Sequence, residues 1–192
     1  MAIIIEEQGT TRTPVLRRKR IGEEFVGALV RTAQRDVLKR GTDGVDRPVL
    51  KSNGKPRQEL VVTLVTISST MAAGLGEEVA VPAPGDIVRT ILKGGGFGQW
   101  IEAAGLLKPR HVGDVVTITS EWGQAYSATG EPQGDKLTTQ AQLDAVPRER
   151  SLGVYGNLTI RRATPAEQSW VAAAEAAYLE SQPAIALSDD AF

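Results

Sequence analysis

The chain has 192 residues, 41% of them hydrophobic, with a net charge of -1, one histidine and no cysteine. That composition excludes disulfides, thiolate metal sites and cysteine nucleophiles, and a lone histidine makes a histidine-based zinc centre improbable, so neither metal nor cofactor is expected. The AIIIEE run near the start is too short for a signal h-region or a membrane span, so a cytoplasmic protein with no membrane partner is expected.

Charge is distributed unevenly behind the small net value. From Arg12 to Arg57 there are 13 basic and 5 acidic residues, whereas from Ala163 to Phe192 there are 5 acidic residues and no basic one. A basic region and an acidic tail on one chain point to a polyanionic partner more than the overall balance does. Twenty glycines and ten prolines indicate many turns around one core, as in a small β fold.

In chain order, residues 1–22 read as a flexible basic arm that includes RRKR at 17–20. EEFVGALVRTAQRDVL, residues 23–38, reads as a strand with Phe25, Gly27, Leu29 and Arg31 facing one way. Its β-branched residues and Gly27 outweigh the helix formers. KRGTDGVDRPVLKSNGKPRQ, residues 39–58, is a long polar excursion with a turn at Asn53-Gly54. ELVVTLVTI, residues 59–67, is a strand covered on both faces, and it pairs with the first as a long hairpin. Residues 68–85 are turn-rich. A strand follows over 86–93, then a short helix over 98–104 carrying Trp100 and Ile101.

HVGDVVTITSEWGQAYSA, residues 111–128, reads as a strand, a turn near Trp122-Gly123 and a return strand. Residues 129–150 are a polar loop, and YGNLTIRRA, residues 155–163, is the last strand. Thr164, Pro165 and Glu167 then spell a capping box. The helix over 164–182 places Trp170, Ala174 and Tyr178 on one stripe, with the aromatics packed on the barrel. Residues 183–192 form an acidic tail. The order of strands and helices, with a short helix between the third and fourth principal strands, is that of a mainly β, OB-fold-like five-stranded barrel over 23–163. An SH3-like barrel or a small sandwich remains compatible with it.

Catalytic signatures are missing. KGGGFG lacks the spacing and the terminal Lys-Ser/Thr of a phosphate loop. The acids are dispersed, and Ser127 and Ser151 have no base partner in view except His111. No enzyme is expected. Holding a single strand without reading its sequence requires cations along the phosphate path and aromatic faces for the bases. Arg31, Arg35, Lys39, Lys51, Lys55 and Arg57 lie on the first hairpin, with Arg40 beside them. Lys93, Phe97 and Trp100 surround the glycine-rich connection, Trp122 and Tyr126 a second turn, and Arg161 ends the last strand. Each aromatic has a core role as its alternative.

FVGALVRTAQRDVL, NGKPRQELVVTL and GDIVRTILKGGGFGQWIEAAG, with VGDVVTIT after them, resemble small OB-type single-stranded DNA-binding proteins encoded by phages of actinobacteria. The resemblance spans Phe25 to Gly105. It implies a single-stranded DNA-binding protein of phage replication or recombination, in host cytoplasm. The chain departs from the pattern in its 39–58 and 129–150 loops and in its terminal helix. The final LSDDAF is similar to the acidic tip of bacterial single-stranded DNA-binding proteins, with Ala191 where that tip has proline. By that resemblance Asp189, Asp190 and Phe192 would dock replication or repair proteins. A homo-oligomer is compatible with both. The alternative reading is a virion structural or adaptor protein, a connector or tail component that uses the barrel for protein contacts.

Overall fold

Strand pairing begins within the stretch that reads as an arm. A computed structural model describes residues 13–75, 77–105 and 113–181. In it Val15–Arg17 (β1) lies in the main sheet, its Leu16 opposite Ala73 and its Val15 opposite Arg89. Of the residues expected as a flexible arm, Val15–Arg17 therefore belong to the sheet.

The long hairpin is present. β2 (Glu24–Asp36) leads into a small ribbon of β3 (Leu38–Arg40) and β4 (Asp46–Pro48), and β5 (Gln58–Ser69) returns along β2 from Gln58 opposite Asp36 to Ser69 opposite Phe25. β5 is buried along most of its length. Leu60, Val62 and Leu64 enter the main core, while Val65 packs on the other face with Val30 and Ile87. A strand covered on both sides needs the unbroken apolar run that this sequence supplies.

Residues 68–85 are more ordered than their turn-rich composition suggests, because they hold β6 (Ala72–Leu75) and β7 (Glu78–Ala80). β8 (Ile87–Leu92) pairs with β5, and α1 (Gly95–Gly105) starts three residues ahead of the expected helix, just after Gly94 at φ +52. β9 (Val115–Thr119) lies against β2.

Here the topology departs from the expected return hairpin. Glu121 donates its backbone N–H to Tyr155, and β10 (Trp122–Tyr126) leaves for a second sheet with β11 (Pro132–Leu137) and β12 (Ser151–Tyr155). The 129–150 segment, expected as a loop, thus supplies β11 and α2 (Gln140–Asp144), the latter capped reciprocally by Thr139 and Gln142. β13 (Leu158–Arg161) pairs with β9, and α3 (Pro165–Ser181) follows.

The main sheet runs β13-β9-β2-β5-β8-β1-β6-β7. The protein is mainly β, but among the described residues β13 and β7 are end strands and no pairing closes the sheet. The five-stranded closed barrel is replaced because β1, β6 and β7 extend the sheet beyond β8 and β10 crosses to another. One face of the sheet buries Phe25, Leu29, Met71, Val88, Val116 and Ile118 beneath Trp100 of α1. Each large apolar side chain so buried contributes about 1.5–3 kcal/mol.

Candidate functional site

A single extra residue decides which way the cations face. Strict alternation along β2 would put Arg31 beside Phe25 and Leu29, toward the core. The register instead pairs Leu29 with Leu64 and Arg31 with Thr63, leaving Val30 as a bulge. One inserted residue turns every later side chain to the opposite face. Arg31 and Arg35 consequently share the outer face with their partners Thr63 and Glu59. β8 extends both rows, since Thr63 also pairs with Arg89, and Lys93 follows the Leu60–Leu92 pair. The outer face of β2, β5 and β8 therefore carries Arg31, Arg35, Arg89 and Lys93. Arg89 Nη2 donates to the carbonyl of Thr13 at 3.2 Å.

At the centre of one row, Glu59 is only 4% exposed. Arg35 Nε donates to its Oε1 at 2.7 Å. Lys93 Nζ lies 3.0 Å from Oε2, within ion-pair distance although off a well-aligned hydrogen bond. The side chains of Arg35 and Lys93 remain 53% and 61% exposed. Burial works against ionisation of Glu59, but Lys93 and Arg35 together outweigh it and hold the carboxyl below its ordinary range.

Beyond the core the hairpin continues as a finger. Val37 donates to Arg57, Arg57 to Val49 and Val49 to Val37, which ties its base together. Asn53-Gly54 makes the expected turn, with Gly54 at φ +76, a backbone region that favours glycine. Residues 31–58 carry eight basic and three acidic side chains. Arg47 pairs with Asp43. Lys39, Arg40, Lys51, Lys55 and Arg57 are exposed and form no ion pair among the described residues.

The aromatics fall differently from the expectation. Trp100 is 1% exposed and belongs to the core, so it is no stacking platform for a base. Trp122 stacks on Tyr155 with centroids 4.6 Å apart, and Lys136 Nζ sits over its ring at 4.4 Å. A base could reach that ring only by displacing one of them. The Tyr126 hydroxyl is 2.6 Å from that of Tyr155, whose pKa is pushed up to about 12 by burial and by Tyr126. The side chain of Phe97 lies outside those described.

Arg161 is committed elsewhere, forming two bonds to Glu167 at 2.8 and 2.7 Å. Those bonds, with the backbone N–H of Thr164, lower the Glu167 carboxyl to about 2. The capping box at 164–167 is thereby confirmed. Trp170, expected against the barrel, is 36% exposed. Ala174 and Tyr178 have no described side chains, and Asp189, Asp190 and Phe192 lie outside the described residues.

A cleft of about 470 Å³ lies where α1 and the second sheet meet the main one, lined in part by Arg18, Lys93, Gln99, Trp122 and Tyr155. Arg18 is half-buried, and burial lowers its pKa against the opposing pull of Glu121. Sequence reading missed Arg18, Arg89, Tyr155 and Glu59. Glu59 did leave a signal, as a charged residue heading an otherwise apolar run. Among the described residues no helix is long and apolar enough to cross a membrane. Compared with family models, curated proteins and solved structures, the chain matches none of them.

Proposed function

We propose that this chain binds single-stranded DNA without reading its sequence, as an OB-like protein of phage replication or recombination. The observation that carries the reading is the cationic outer face of β2, β5 and β8 continuing into the basic finger. Such a surface neutralises phosphates and presents little that discriminates bases. A pliable single strand can adapt to such a surface more readily than a stiff duplex can. The element order of the main sheet, with α1 between β8 and β9 and β9 beside β2, supports the OB-like assignment. The phage setting rests on the sequence resemblance alone.

Titration of the full chain with labelled dT oligonucleotides at several salt concentrations, beside a duplex of equal length, tests this. With about four phosphates neutralised, log K should fall with log salt at a slope near -3, at roughly -0.7 per phosphate. Binding indifferent to salt, or none at about 50 mM, removes the proposal.

One feature favours the alternative of a virion connector or adaptor. β7 is an end strand, and Val79 and Val81 beside its free edge are 36% and 54% exposed. Unpaired edges accept strands from other chains. Ring-sized assemblies in sedimentation, formed without DNA and coupled with failed oligonucleotide binding, would select that reading.

A further inference from the structure

We propose that Glu59 is the positioning carboxylate of a phosphate clamp, and that Arg35 and Lys93 grip one phosphodiester of the bound strand together. This rests on the proposed single-stranded DNA binding and specifies where on the outer face a phosphate is held. Glu59 reaches Arg35 with one oxygen and Lys93 with the other, so a cation of β2 and one just past the end of β8 are held by one carboxylate.

The geometry leaves the useful donors available. Arg35 uses Nε on Glu59, which fixes the guanidinium plane and leaves the Nη1 and Nη2 groups for an anion. Lys93 engages one direction of an ammonium that has three donors. Both side chains are more than half exposed, while the carboxylate beneath them is 6% exposed. A buried acid under two exposed bases is a poor competitor for solvent-borne phosphate but a good anchor for the bases. With one negative and two positive charges, the group keeps a net +1 to offer. Ordering two long side chains in advance removes entropy that binding would otherwise cost.

The alternative is that these cations act only as diffuse charge, and the two accounts predict opposite signs. Glu59→Gln removes one negative charge from the protein, so diffuse attraction predicts tighter oligonucleotide binding. The clamp predicts weaker binding, because Arg35 and Lys93 use different oxygens of Glu59 and the amide nitrogen that replaces one of them donates and cannot accept. The expected result is about tenfold weaker dT binding at moderate salt, the size of one lost charge-assisted hydrogen bond.

Should Glu59→Gln perturb folding in a thermal melt, Arg35→Lys serves instead. It is charge-neutral, lies on a half-exposed side chain and lacks the fork that serves carboxylate and phosphate together. The same weakening is expected. Glu59→Gln binding as tightly as wild type or tighter, or Arg35→Lys binding unchanged, overturns the clamp while leaving single-stranded DNA binding in place. Wild-type protein that fails to bind any dT oligonucleotide overturns both together.

Discussion

Trp100 and Tyr155 show how burial assigns a role that residue type leaves open. Replacing Trp100 with alanine should cost about 3–5 kcal/mol of stability, as expected for a large buried aromatic, and should weaken oligonucleotide binding only where the protein unfolds. Urea melts beside the titration check this; a stable variant with lost binding would return Trp100 to the interface. Tyr155 makes a pH-dependent contribution. Its pKa is raised from 10.0 to about 12, through burial and then through Tyr126. A group raised in the folded state stabilises fully below its unfolded value, so this contribution is complete below about 10 and lost as pH climbs toward about 12. Ultraviolet phenolate titration should find one of the three tyrosines ionising late, and Tyr126→Phe should bring it down. All three ionising together at the ordinary value would refute the assignment.

The finger is the element on which the proposed function depends most visibly. Residues 38–56 lie between Val37 and Arg57, whose backbones are already bonded at 2.8 Å, so an Asn-Gly turn can replace them. The shortened protein should keep its melting transition, because the excised residues add nothing to the buried core. It should bind dT oligonucleotides more weakly, with a salt slope shallower by about 0.7 for each phosphate contact removed. Unchanged affinity and slope would show that the finger does not touch DNA. Its ends were legible from ELVVTLVTI and from the Asn53-Gly54 turn, as α3 was from Thr164 and Glu167. What escaped were elements without internal pattern. AAGL, EVA and PQGDKL do not alternate, and they become strands because partners elsewhere in the chain supply the hydrogen bonds. The bulge at Val30 was equally hidden, since a β-branched residue suits a regular strand as well as a bulged one. The cations of the site could therefore be named from sequence, while the face they share could not.

For the molecule as a whole, a net charge of -1 conceals a chain that is basic toward one end of its sequence and acidic toward the other, and the proposed association with DNA should respond to ionic strength as a cationic surface does. Architecture adds a separate constraint through β1. That strand lies between β8 and β6, so the β6–β7 hairpin joins the rest of the sheet's hydrogen-bond ladder through it. The strand made first must wait until residues 72–92 exist before it has a place to go, and long-range pairings of this kind form late. Until it arrives, the slot beside β8 is an open acceptor. Two copies refolding at high concentration can each lend the other this short strand and emerge as a reciprocally exchanged dimer, built from contacts the monomer already has. Mixing already folded chains should produce no such species, because the slot is then occupied. History of folding, more than affinity between surfaces, would then determine how many chains such a particle contains.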